Sequence, residues 1–214
     1  MSITVRPFTA GLGADISGVD IREPLSTADR DAIRAAWLAN LLLRFRDQPM
    51  TDTQHMAFTR QFGELEFNPA ALIAKQYGVD TQTAGRKHEI PPEISVISNI
   101  IEDGKAIGGL GDGEAFWHTD SSFVDVPPAA SLLRSLQVPS PSAGGATSFL
   151  NCYTAYDTLA EETKKRIAGL TMIHAATHSS GGKAHKGFEN VDDVSRVPGA
   201  RQPMVRMPST PASK

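Results

Sequence analysis

Cysteine is nearly absent from this chain of 214 residues: Cys152 is its only one. That excludes an intramolecular disulfide and any cysteine-based zinc site, and the apolar setting of Cys152 predicts an inert, buried thiol. No hydrophobic run approaches the roughly 20 residues of a membrane span. The opening Met1-Ser2-Ile3-Thr4-Val5 lacks the basic and apolar segments of a secretory leader. A cytoplasmic protein without a membrane partner is the expectation. Charge of one sign is scarce too, with 21 basic against 24 acidic residues and a formal net charge of −3. Without a basic run, a nucleic-acid surface built on bulk electrostatics is not expected. No Gly-x-Ser-x-Gly elbow occurs, and the glycine-rich Gly11 to Asp20 lacks the Lys-Ser/Thr of a phosphate loop. That stretch reads instead as a turn-rich strand pair.

What is present suits one globular domain with a real core, 40% hydrophobic and 21% charged,. Ile3-Thr4-Val5 alternates as a short strand. Ser26 has the form of an N-cap with Asp29 at the dipole-favoured third position, opening a helix that turns Ile33, Trp37 and Leu38 inward. Leu41 to Arg46 reads as a buried strand. Thr51-Asp52-Thr53-Gln54 is a capping-box pattern and starts a helix through Met56, Phe58 and Phe62 that stops at Gly63. Residues 68–92 form a polar excursion. Ile94 to Asn99 is the next strand and leads into Glu102 to Glu114, whose five glycines suggest a mobile lid,. Further strands are expected over Ala130 to Leu136, Gly144 to Leu150 and Thr171 to His174. A helix is expected from Tyr153 to Ala168, with Tyr156, Leu159, Ile167 and Leu170 on its apolar side. The tail from Pro208 to Lys214 has a disordered composition. The balance predicts a β-rich α+β domain.

The segment with most chemical content is Phe116-Trp117-His118-Thr119-Asp120. In an extended strand, residues i and i+2 face the same way, so His118 and Asp120 can converge on one ion. One nitrogen and one oxygen ligand make up two-thirds of a 2-His-1-carboxylate triad, whose open positions suit Fe(II). Trp117 and Phe123 flank the pair with apolar bulk, which implies partial burial, where an unpaired carboxylate is costly. The competing reading is an Asp beside a His on a solvated turn. A triad also needs a second histidine. His55, His88, His174, His178 and His185 are each explained as ordinary helical, surface or satisfied residues, and nothing local selects one. Thr147 enters its strand from a double-glycine turn, where its hydroxyl either donates to a carboxylate or simply serves β propensity. Asn99 either touches a ligand beneath the glycine loop or ends its strand.

Together these segments resemble the TauD/TfdA family of Fe(II)- and 2-oxoglutarate-dependent dioxygenases. The likeness runs through Gly11-Leu12-Gly13-Ala14-Asp15-Ile16, Leu43 to Gln48 and Phe58 to Gly63. It is sharpest at Trp117 to Phe123 with Pro127-Pro128, then at Gly144-Gly145-Ala146-Thr147 with Asn151 and Ala155-Tyr156. The resemblance implies a double-stranded β-helix (jelly-roll) core with flanking helices, in a single domain over residues 1–206. It implies that His118 and Asp120 bind Fe(II), that Thr147 binds 2-oxoglutarate and that Asn99 lies near the substrate. It also implies an oxidoreductase that uses O2 to hydroxylate a small, anionic molecule, releasing succinate and CO2.

The chain departs from the family pattern after Arg206. Members continue with a His-Pro and Gly-Arg stretch, then a distal histidine ligand and an arginine for the 2-oxoglutarate carboxylate; here Met207 to Lys214 follow. A truncated or frame-shifted member is therefore expected, with distal strands missing, residues 207–214 as an aberrant tail, and bare sheet edges that favour homo-oligomers. Two other readings stand beside the dioxygenase: a non-catalytic remnant that binds ligand or partner without turnover, and a non-redox metal-dependent hydrolase.

Overall fold

The computed structural model describes residues 2–9, 11–68, 71–72, 90–110, 116–178, 184 and 199–207. His88, His185, most of the 68–92 excursion, the end of the glycine loop and the tail from Pro208 lie outside them. The chain falls into two compact α+β units, Met1–Leu65 with Leu132–Ala160, and Glu66–Ser131 with Glu161–Lys214. Among the described residues, no helix is long and apolar enough to cross a membrane.

The first unit is built on a three-stranded sheet. Strand β1 (Thr4–Thr9) pairs antiparallel with β2 (Leu12–Ser17), and β2 pairs in parallel with β3 (Leu43–Phe45). The glycines that mimic a phosphate loop serve this turn. Gly13 has φ +83°, and a Cβ there would stand 2.5 Å from the Phe8 ring, so any larger residue would clash with the strand partner. In register with one another, Asp15 and Arg44 form a bidentate pair at 2.7 and 3.0 Å. That guanidinium holds the Asp15 carboxyl below its ordinary range.

Both helix starts follow from their caps. Helix α1 (Thr27–Asn40) is capped by Ser26, whose side chain accepts from the Asp29 amide. Helix α2 (Asp52–Arg60) has both reciprocal bonds of the capping box between Thr51 and Gln54. Their buried faces meet in one cluster of Ile21, Ile33 and Phe58, against which Phe45, Phe62 and Leu132 pack. The Phe58 ring meets Phe45 and Phe62 edge-on, at 5.6 and 5.2 Å. Two expectations shift. Ala36, not Leu38, takes the inward place beside Ile33, and Leu38 is exposed, because three-residue spacing keeps the buried stripe in line. Helix α2 ends at Arg60 rather than running to Gly63, since the Gln61 and Phe62 amides already close onto Phe58 and Thr59 as three-residue turns.

The single long helix expected from Tyr153 is instead two short ones, α3 (Cys152–Asp157) and α4 (Glu161–Ile167). At Thr158 the hydroxyl bonds back to the Thr154 and Ala155 carbonyls, and the Leu159 amide turns to Tyr156, ending the ladder. Neither helix buries a residue; Tyr156, Leu159 and Leu170 are exposed. Cys152, expected to be buried, is exposed at the start of α3. Segments 130–136 and 144–150 have no strand among their described residues. A strand needs a ladder partner as well as propensity, and Leu133, Leu136, Phe149 and Leu150 stay exposed.

In the second unit, β4 (Ile97–Ser98) is shorter than the six residues expected. The described half of the glycine segment is regular: β5 (Ile101–Glu102) turns through Asp103 (φ 49°) and Gly104 (φ 72°) into β6 (Lys105–Ala106), and β7 (Gly109–Leu110) pairs in parallel with β4. Consecutive positive φ angles are those of a tight hairpin turn, so this half is a ladder rather than a free lid. Strand β8 (Thr171–His174) pairs antiparallel with β9 (Ala200–Pro203), and Gly169 (φ 73°) stops α4 just before it.

Candidate metal centre

His118 and Asp120 are brought together, but not by a strand. Residues 116–119 have no regular structure and 120–123 form a turn, with Ser121 in the left-handed region at φ 50°. That turn folds the carboxylate back onto the ring: His118 Nε2 stands 3.1 Å from Asp120 Oδ1. The flanking aromatics do not bury the pair: Trp117 is itself 68% exposed and Phe123 half-buried, and the His118 and Asp120 side chains remain open to solvent. The expected strand and partial burial are thus both corrected; their convergence is not.

The other ring nitrogen fixes the chemistry. His118 Nδ1 lies 2.6 Å from the Phe116 carbonyl, and a carbonyl only accepts, so the proton must sit on Nδ1. In the neutral ring, Nε2 then turns a bare lone pair toward a carboxylate oxygen. Two acceptors at 3.1 Å repel unless a positive charge lies between them, either a second ring proton or a bound cation. An imidazole whose far N–H is tied to a backbone carbonyl is the usual arrangement of a metal-ligating histidine. The spacing fits too. Two cis ligands with bonds of about 2.1 Å stand about 3.0 Å apart. The second Asp120 oxygen accepts from Ser131 Oγ at 3.4 Å.

Among the described residues, no group of three His, Cys, Asp or Glu side chains stands ready to hold an ion. His174 Nδ1 pairs with Ser122 Oγ at 2.8 Å and His178 Nδ1 with Thr177 Oγ1 at 3.0 Å, as satisfied histidines do. His55 lies half-buried on α2; burial pushes its pKa down, and the nearby Arg134 guanidinium adds to this. Arg134 in turn donates to the Met50 carbonyl and to Asp52. Asn99 is exposed just beyond β4. Thr147 belongs to the first unit and is exposed, after Gly144 (φ 80°) and Gly145 (φ 78°). The residues that sequence reasoning missed are those holding the turn: Ser131, Ser122 and Gln202. Only Ser122 lay inside a motif, and nothing local marks Gln202.

Comparison with known proteins identifies the family. Residues 4–212 match the family described as "Taurine catabolism dioxygenase TauD, TfdA family". The chain is 31% identical over 182 residues to an (S)-phenoxypropionate/alpha-ketoglutarate-dioxygenase of Sphingobium herbicidovorans, covering 85% of this chain and 56% of that protein. It is 31% identical over 187 residues to an alpha-ketoglutarate-dependent 2,4-dichlorophenoxyacetate dioxygenase of Cupriavidus pinatubonensis, covering 84% of this chain and 60% of that one. The chain therefore spans little more than half the length of these relatives. The fold matches the crystal structure of AAD-2 in complex with Mn(II) and N-oxalylglycine, with a TM-score of 0.63 and 24% identity, covering 98% of this chain and 68% of that one. The chain belongs to the TauD/TfdA dioxygenase family.

Proposed function

We propose that this chain carries the iron-binding turn of an Fe(II)- and 2-oxoglutarate-dependent dioxygenase, in which His118 and Asp120 are two ligands of the ion. The observation that carries this is the Nδ1-anchored ring of His118, with Nε2 and Asp120 Oδ1 held 3.1 Å apart. Bound iron with 2-oxoglutarate supplies oxidative power drawn from O2, hydroxylating a C–H bond with release of succinate and CO2. The chain's own residues bind and orient. His118 and Asp120 offer one neutral and one anionic donor, Thr147 offers a hydroxyl to a 2-oxoglutarate carboxylate, and Asn99 offers an amide near the substrate. The substrate class is a small organic anion, as the names of the aryloxyalkanoate-acting relatives suggest. A jelly-roll core in one domain over residues 1–206, and a cytoplasmic setting, complete the reading.

The test is O2 consumption coupled to succinate formation with Fe(II), 2-oxoglutarate and a panel of aryloxyalkanoates and sulfate esters. Loss of that coupling in His118→Ala and Asp120→Ala is expected. Turnover that needs neither O2 nor 2-oxoglutarate would replace this reading with a metal-dependent hydrolase. A second reading, a binding protein without turnover, is favoured by the absence of a third ligand beside the pair among the described residues. It predicts Mn(II) binding with no succinate formed.

A further inference from the structure

The turn that presents Asp120 is held by a side chain from β9. Gln202 is buried, at 7% exposure. Its amide nitrogen donates to the Ser122 carbonyl at 3.3 Å and to the Val124 carbonyl at 2.8 Å. Its Oε1 accepts from Arg206 Nη2 at 2.9 Å. The orientation of this amide is unambiguous, because flipping it would set an oxygen against two carbonyls and an NH2 against a guanidinium. Pairing of Met172 with Gln202 and of His174 with Ala200 puts these four residues on one face of the β8–β9 hairpin. From that face His174 Nδ1 also reaches the Ser122 hydroxyl, at 2.8 Å. The hairpin thus grips the two carbonyls and one hydroxyl that follow Asp120. Between Asp120 and the grip lies Ser121, at φ 50°, a conformation that a non-glycine residue keeps only when its surroundings impose it.

We propose that Gln202 is a positioning residue for the metal centre: its two N–H bonds fix the backbone turn that presents Asp120 to His118. The inference rests on the reading of His118 and Asp120 as ligands. Outer partners of metal ligands commonly govern affinity by about 10- to 100-fold when removed. Gln202→Glu is the sharpest perturbation. It keeps size and the Arg206 partner, yet turns an acceptor oxygen toward two carbonyls.

The experiment measures Mn(II) affinity by electron paramagnetic resonance, and amide exchange of the metal-free full chain at Val124, whose N–H bonds the Ser121 carbonyl. For Q202E, a Kd for Mn(II) raised about 10- to 100-fold and clearly faster Val124 exchange are expected. Arg201→Ala, on the outer face of β9 where Arg201 bonds Thr171, should leave both at the wild-type value. Should Q202E not fold, Gln202→Met keeps the length without an N–H and carries the same expectation. If Asp120→Ala abolishes Mn(II) binding while Q202E changes neither affinity nor exchange, the positioning role is refuted and the ligand reading stands. If Mn(II) binds wild type and Asp120→Ala alike, the ligand reading falls and takes this proposal with it.

Discussion

Asp120→Asn should move stability and metal binding in opposite directions. Without metal, the His118 ring directs its Nδ1 proton to the Phe116 carbonyl and shows Asp120 a lone pair at 3.1 Å. An amide in place of the carboxylate supplies the missing N–H to Nε2, while its oxygen keeps the Ser131 hydroxyl. A neutral hydrogen bond contributes about 0.5–1.5 kcal/mol. The two side chains are 43% and 64% exposed, so solvent screening reduces the gain to about 0.5 kcal/mol. For a unit of roughly 100 residues that raises Tm by about 2–4 °C. In the same variant the anionic ligand is gone, so the rise in Tm that Mn(II) gives the wild-type protein should vanish. Thermal melts in EDTA and across a Mn(II) titration read both effects. A lower Tm in EDTA would refute the reasoning, because it would mean that the carboxylate is a better partner for Nε2 than the amide is.

Phe58→Ala should destabilise the first unit by about 3–5 kcal/mol, since this ring is only 4% exposed and meets two others edge-on; chemical denaturation measures it, and a loss under about 1 kcal/mol would contradict the packing described. Asn151→Ala removes the α3 cap, where Oδ1 accepts from the Tyr153 and Thr154 amides, and also the Nδ2 bond to the Gly11 carbonyl; about 1–2 kcal/mol should go, and an unshifted denaturation midpoint would argue against that bridge. His55 is held below its ordinary value of 6.5 mainly by burial. The unfolded chain therefore takes up this proton first, and stability present above pH 6.5 is lost as pH falls below it. His55→Gln should flatten the stability–pH curve in that window, and an unchanged acid slope would show that other groups set it.

What was legible in the sequence is what short-range chemistry decides. Ser26 and Thr51 each name a helix start because a hydroxyl can satisfy an amide three residues on, whatever the rest of the chain does. The pairing of β2 with β3 joins residues 29 positions apart, which no local pattern encodes. The apolar segments after Ala130 show the converse failure. Leu133 and Leu136 have strand-compatible neighbours, but without ladder partners among the described residues they remain exposed, so propensity alone overstated the β content.

The metal centre divides along the same line. An ion site needs donors close together and a backbone stiff enough to keep them so. The first need is local: two positions apart, His118 and Asp120 were foreseeable as partners, although a turn rather than a strand joins them. The second is not. Gln202 lies 80 positions from Ser122 and 78 from Val124, and a buried glutamine in a four-residue strand carries no motif. Its chemistry becomes visible only when two backbone carbonyls are seen facing one amide. Sequence can therefore nominate ligands by type and spacing, whereas the groups that hold ligands still must be found by asking where each backbone carbonyl near the site sends its hydrogen bond.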